Sequence, residues 1–357
     1  MNMNTNGSHN EKTLGLYIHI PFCITKCKYC RFYSVKYSKI TADSYKSAVI
    51  RNVRELIRQG LLFDTVFFGG GTPSLLHNEI AEIITILPRT NDAEITIEVN
   101  PDDVNPQMLK TLLRAGVNRI SIGVQSLDNA ILQNIGRRHN AEAALCAIKT
   151  AYECGFLSIS ADIMLGIPGQ TFPHVERELD TITALPGITH ISAYIYENEV
   201  TLDDDDVAAL YINVARFLER KGFAQYEISN FGHPCRHNLK YWRCEEYIGL
   251  GAAAHGYFNG KRVAVKGDTD AFINAPIQNT YTTEDNPGTF EERIMLGLRL
   301  SEGIELHKLS IDERTLLTQR AKTLSAEYIT LNEKSLSLTQ KGFLVSNLII
   351  GELLGDS

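Results

Sequence analysis

Short apolar runs alternate with amphipathic stretches from Leu14 to about Arg220. The runs Leu14–Ile20, Thr65–Phe68, Ile95–Val99, Arg119–Val124, Ser158–Met164 and His190–Ile195 are rich in β-branched residues and nearly continuous in hydrophobicity. That pattern predicts strands covered on both faces, as in a parallel sheet. Between them, Ser44–Arg58, Glu79–Leu87, Pro106–Ala115, Ala141–Cys154 and Val175–Ala184 carry apolar positions at helical spacing. Six strand–helix units with right-handed crossovers are too few for an eight-fold barrel. They predict an α/β fold, a partial (β/α)6 TIM-like barrel spanning 14–222. In such folds, functional residues gather at the C-terminal ends of the strands.

The repeat then breaks. Asp203 to Asp206 predict a solvated helix start, with carboxylates at the positive end of a helix running to about Arg220. Residues 223–286 are rich in Gly, Tyr and His and read as a connecting region. From 287 to 357 the pattern predicts a smaller helical, winged-helix-like domain. Its helices are expected at Phe290–Leu300, Ile311–Glu327 and Leu344–Leu354, with a short strand at Ser335–Leu338. Residues 1–13 are polar, lack the apolar core of a signal peptide and are expected to form a disordered leader.

Composition narrows the function. A chain of 357 residues with 44% hydrophobic and 22% charged residues is that of an ordinary globular protein. A formal net charge of −7 offers no electrostatic footprint for nucleic acid. No apolar run is long enough to span a membrane. The odd count of seven cysteines, with no export signal, argues against a disulfide framework and for the cytoplasm. Cys146 and Cys154, on one predicted helix, read as small buried hydrophobes.

The first strand runs into Cys23-Ile-Thr-Lys-Cys27-Lys-Tyr-Cys30. A structural zinc site would need a second cysteine pair, and the sequence has none. Three thiolates, Cys23, Cys27 and Cys30, on one loop suit three irons of a [4Fe-4S] cluster, with the fourth iron left open for another ligand. Polar residues stand at the other strand ends. Phe68-Gly-Gly-Gly-Thr-Pro-Ser74 follows the second strand, either as a tight turn or as a close backbone approach to a ligand. Glu98 and Gln125 end the third and fourth strands, and Asp162 lies in the fifth. Together they form a polar ring that suits an amino-acid-like cofactor.

With Tyr17-Ile-His-Ile-Pro-Phe-Cys23, Gly123-Val-Gln-Ser126, Gly136-Arg-Arg-His139 and Asp162-Ile-Met-Leu-Gly-Ile-Pro-Gly-Gln170, these motifs resemble the radical S-adenosylmethionine (SAM) superfamily. Within it they resemble the branch that holds oxygen-independent coproporphyrinogen III dehydrogenase and the HemW-type heme chaperones. The resemblance implies a [4Fe-4S] cluster whose open iron takes SAM. It carries the cofactor contacts onto Tyr17, Tyr29, Gly70, Gly71, Thr72, Glu98, Gln125, Arg137 and Asp162, with Arg138 open as the alternative to Arg137.

Two features weigh the chaperone against the dehydrogenase. Phe32 stands where the dehydrogenases have a further cysteine, which favours the chaperones, although Arg31 departs from their usual acidic residue. His237-Asn-Leu-Lys-Tyr-Trp242 matches the H-N-x-x-Y-W motif that the HemW type links with heme. The resemblance makes His237, Tyr241 and Trp242 heme contacts, while Cys235 and His255 remain open as iron ligands. It implies heme transfer to apoproteins, membrane respiratory proteins being the suggested acceptors. Oxidative decarboxylation of coproporphyrinogen, or another radical reaction on a porphyrin, is the competing activity.

Overall fold

The computed structural model describes residues 13–197 and 202–355. Apart from Thr13, the expected leader lies outside the described residues.

The six expected strands form, four of them longer than the apolar runs that marked them. They are β1 (Leu14–Ile20), β2 (Phe63–Gly70), β3 (Arg89–Val99), β4 (Arg119–Gln125), β5 (Ile159–Leu165) and β6 (Ile188–Ile195). They lie side by side in sequence order, every neighbouring pair parallel. Helices cover the outer face. In Lys39–Arg58 the buried positions Ala42, Tyr45, Val49, Val53 and Leu56 recur every three or four residues. Asn105 and Asn140 cap Pro106–Ala115 and Ala141–Cys154 by accepting from the Met108 and Ala143 N–H groups. Asp203 caps Asp204–Arg220 by accepting from Asp205 N–H.

The sheet is larger than the repeat implied. Beyond β1 it gains the parallel strand Tyr247–Leu250 and then three antiparallel strands ending at Thr280–Glu284. Beyond β6 it gains Asn230–Gly232 and Gln225–Glu227. Residues from the Gly- and Tyr-rich stretch thus extend both edges, and the sheet stays open. Those added strands are only three to five residues long, too short for a period-2 signal to stand out.

The C-terminal part pairs a small antiparallel sheet, ordered Ile304–Glu305, Ser335–Leu338, Ile329–Leu331, with the helices Phe290–Gly297, Ile311–Ala321 and Ser346–Leu354. The helix expected to Glu327 ends at Ala321, because Ile329–Leu331 is drawn into that sheet. The last helix is interrupted at Val345. Cys146 is exposed and Cys154 half-buried, correcting their reading as buried hydrophobes: Ala144, Ala147, Ile148 and Ala151 take the inner face of that helix.

Candidate functional site

Side chains alternate across a strand, so every second residue of each core strand points into the barrel. On β4 these are Arg119, Ser121, Gly123 and Gln125, and on β6 His190, Ser192 and Tyr194. With Phe67, Glu98, Asp162 and Met164 they line a cavity of about 480 Å³. The cysteine loop, from Tyr29 to Phe32, borders its mouth, and Asn238 reaches it from the opposite end.

At the mouth, Cys23, Cys27 and Cys30 are free thiols, each partly exposed. Two donors face their sulfurs. Thr72 Oγ1 donates to Cys23 Sγ at 3.6 Å, and Arg137 Nη1 to Cys27 Sγ at 3.8 Å. Asn100 ties these donors together: its Nδ2 donates to Thr72 Oγ1 at 3.1 Å, and its Oδ1 accepts from Arg137 Nη2 at 2.8 Å. Among the described residues no three His, Cys, Asp or Glu side chains converge on a point, as a single metal ion would need. A four-iron cluster spreads its thiolates over separate irons. Three loop thiols met by a cation and a hydroxyl fit such a cluster.

The glycine run has a steric cause. Gly70 has φ 114°, and a Cβ there would lie 2.4 Å from the His19 ring. A Cβ on Gly71 would lie 2.7 Å from the Phe22 carbonyl oxygen. Only glycine lets β2 leave the sheet this close to the cysteine loop. The N–H of Gly70 donates to Glu98 Oε2 at 3.1 Å, fixing that carboxylate at the cavity wall. Burial, and then the charge of Asp162, raise the Glu98 carboxyl to about 7. Asp162 is itself raised by burial, against hydroxyl donors that include Ser121 Oγ at 2.9 Å. Gln125 holds φ 68°, left-handed for a residue with a side chain, at the end of β4. Such strain persists where the surroundings over-determine it, as at ligand clamps.

Of the SAM contacts expected from sequence, Tyr29, Gly70, Gly71, Thr72, Glu98, Gln125, Arg137 and Asp162 line this one cavity. Tyr17 does not. Its hydroxyl bonds His19 Nδ1 at 2.9 Å, and its ring stacks on Phe67. Arg137 rather than Arg138 turns inward; Arg138 pairs with Asp102 and Asp103 at 3.5 and 3.2 Å. Buried Arg137 Nε has no partner among the described residues and remains a donor for a ligand. Asn100, Arg119 and Ser192 were missed. Counting back by twos from Gln125 reaches Arg119, and Asn100 follows Glu98 by two, so period 2 was the available signal.

The residues of the heme motif lie elsewhere. The helix Arg236–Trp242 closes the N-terminal end of the barrel, against Gly15 and Thr65 near the starts of β1 and β2. Glu94 secures it by accepting from the N–H groups of Arg236 and His237, both at 3.1 Å. His237 is fully buried, with Nδ1 2.8 Å from Thr65 Oγ1 and Nε2 2.8 Å from Tyr241 Oη. Its ring stacks on Phe67, and Tyr241 packs on Tyr247 at 4.5 Å. Trp242 turns toward the C-terminal part, beneath the Arg299 guanidinium. Cys235 is buried as well, whereas His255 is exposed.

Residues 17–182 match the family model of the Radical SAM superfamily, and residues 289–345 that of the HemN C-terminal domain. The chain is 34% identical to a Bacillus subtilis protein named heme chaperone HemW, over 95% of this chain and 99% of that one. It is 37% identical to the Escherichia coli protein of the same name, over 68% and 70% of the two chains. Among solved structures, the radical SAM enzyme coproporphyrinogen III oxidase (HemN) from Escherichia coli superposes with a TM-score of 0.79 at 20% identity, over 96% of this chain and 90% of that one. At that identity the likeness is one of fold.

Proposed function

The chain belongs to the HemW family of the radical SAM superfamily, and from that premise we propose that it is a heme chaperone, which binds heme and hands it to acceptor apoproteins. The end-to-end likeness to proteins of that name carries the reading. As a radical SAM protein it takes a [4Fe-4S] cluster and SAM, which together supply one-electron chemistry when bound. Cys23, Cys27 and Cys30 would hold the cluster. Arg137 and Thr72 offset thiolate charge through the donors they direct at Cys27 and Cys23. Glu98 and Asp162 provide buried acceptors for hydroxyl or ammonium groups, and Gln125 and Arg137 provide donors. Tyr29, Phe67 and Met164 line the same cavity with apolar surface, which keeps bulk water from it.

For heme, the proposal rests on His237, Tyr241 and Trp242. With both imidazole nitrogens engaged, His237 would meet iron only after it releases Thr65 or Tyr241, and the Phe67 ring stacked on it stands between it and the cavity. His255 is the candidate ligand that is already exposed. Membrane respiratory proteins are the proposed acceptors. No described helix is long and apolar enough to cross a membrane. The free cysteines suit a reducing compartment, so the cytoplasm is the proposed location.

The test is a Soret titration of the cluster-reconstituted protein with heme, with and without SAM, followed by mixing with an apo-hemoprotein. A saturable band that transfers to the acceptor supports the reading. Absence of binding, or multiple-turnover conversion of coproporphyrinogen III to protoporphyrinogen, would overturn it.

A further inference from the structure

Arg119 stands at the deep end of the cavity, 5% exposed, and its Nη2 has no hydrogen-bond partner among the described residues. Asp162 and Glu94 lie near enough to favour its charge, but their hydrogen bonds go elsewhere. Asp162 accepts from Ser121 and Ser160, while Glu94 accepts from the first residues of the Arg236–Trp242 helix and from Cys235 Sγ. A guanidinium keeps its charge and its five donors, and a buried donor left without a hydrogen-bond partner is costly. Such a group is kept where a ligand completes it.

The cavity wall says what kind of ligand. Around the mouth it presents Phe32, Met164, Tyr194 and Ile195, three of them substantially exposed at 65%, 43% and 39% for Phe32, Tyr194 and Ile195. At depth it presents Arg119, His190, Ser192 and Asn238. His190 has both ring nitrogens bonded, to Ser160 Oγ and Tyr226 Oη at 2.7 and 2.9 Å, so it adds no charge of its own need. Apolar side chains at the entrance, beside the Arg31–Glu197 pair, above a floor with a buried guanidinium donor left open, fit an amphiphile that enters acid end first.

We propose that Arg119 is the carboxylate-binding residue of a ligand subsite on the floor of the barrel, taking an acid side chain of a ligand whose apolar body fills the cavity above. Identifying that acid with a heme propionate rests on the heme reading; the subsite itself rests on Arg119 and the cavity. Ser192 and Asn238 line the same cavity and offer further polar atoms to the carboxylate.

Heme and heme dimethyl ester, whose propionates are blocked, are titrated into the wild-type protein and Arg119→Gln. A charge-assisted pair in a dry site predicts that wild type prefers heme over the ester by about tenfold or more. In Arg119→Gln the preference falls to within about twofold. A wild type without the preference, or an Arg119→Gln that keeps it, overturns the subsite and leaves the heme reading standing. If neither porphyrin binds wild type, the heme reading fails instead. Sodium propionate then decides the subsite, against propionamide at matched ionic strength. A larger rise in thermal midpoint for wild type than for Arg119→Gln supports the subsite, and equal rises overturn it. Should Arg119→Gln misfold by circular dichroism, Arg119→Lys replaces it. Its ammonium loses the bidentate fork, so the acid preference drops several-fold, and an unchanged preference overturns the proposal.

Discussion

His237 Nδ1 lies 2.8 Å from Thr65 Oγ1, joining the helix Arg236–Trp242 to the second core strand. The imidazole is part of the barrel floor. Burial, and then the charge of Lys240, lower its pKa to about 3, so it is neutral in the folded protein.

That neutrality makes a prediction about acid stability. The unfolded chain protonates this histidine below its ordinary value near 6.5, and the folded chain does not until about 3. The unfolded state therefore binds the extra proton in that window, and stability falls as pH falls. Lowering pH from 6.5 to 5 should cost about 2 kcal/mol through this residue. Urea unfolding at both pH values should show a shallower loss for His237→Gln than for wild type. Equal slopes would contradict the burial of an uncharged ring.

SAM affinity should also rise with pH, through a different group. Glu98 titrates at about 7, so it is protonated below that value and a full acceptor above it. Binding of SAM, measured by calorimetry on cluster-loaded protein, should tighten between pH 6 and 8. Glu98→Gln should flatten the dependence. Asp162→Asn removes the neighbouring charge that raises Glu98, so it should move the midpoint downward.

The two adjacent arginines should separate cleanly. Arg137→Gln removes the donors to Asn100, Gly123 and Cys27 and should weaken SAM binding by about tenfold or more, as loss of a charged hydrogen bond does. Arg138→Gln loses only the partly exposed pairs to Asp102 and Asp103, so affinity should stay within about twofold.

Cluster loading should follow the loop cysteines alone. Reconstituted wild type should hold about four irons per chain. Cys27→Ala should fall well below that and lose the cluster's visible absorbance. Cys146→Ala, on the exposed side of its helix, should load normally. An intact cluster in Cys27→Ala would remove this loop from the metal site.

How legible each feature was follows from its range along the chain. The cysteine loop spans eight residues, and the glycine run adjoins one strand, so local spacing was enough to name their chemistry. The core strands were legible because cover on both faces leaves continuous apolar runs, as the burial of β1 shows. The short edge strands between Gln225 and Glu284 were not, since three to five residues carry little periodicity and pairing alone defines them. The motif makes Tyr17 an expected cofactor contact, while its bond to His19 and its stacking on Phe67 depend on strand pairing that no local pattern encodes. Arg119 escaped notice because nothing nearby in sequence marks it as unpaired.

Sequence by itself determined the cofactor class and the six strand–helix units, because both rest on residues close together in the chain. Tertiary structure decided which of two neighbouring arginines faces the cysteines, where the heme-motif histidine is held, and that a buried guanidinium waits on the floor. Each of those depends on strand register and on contacts between residues far apart in sequence, such as Thr65 with His237 and Arg137 with Cys27, which no local pattern encodes.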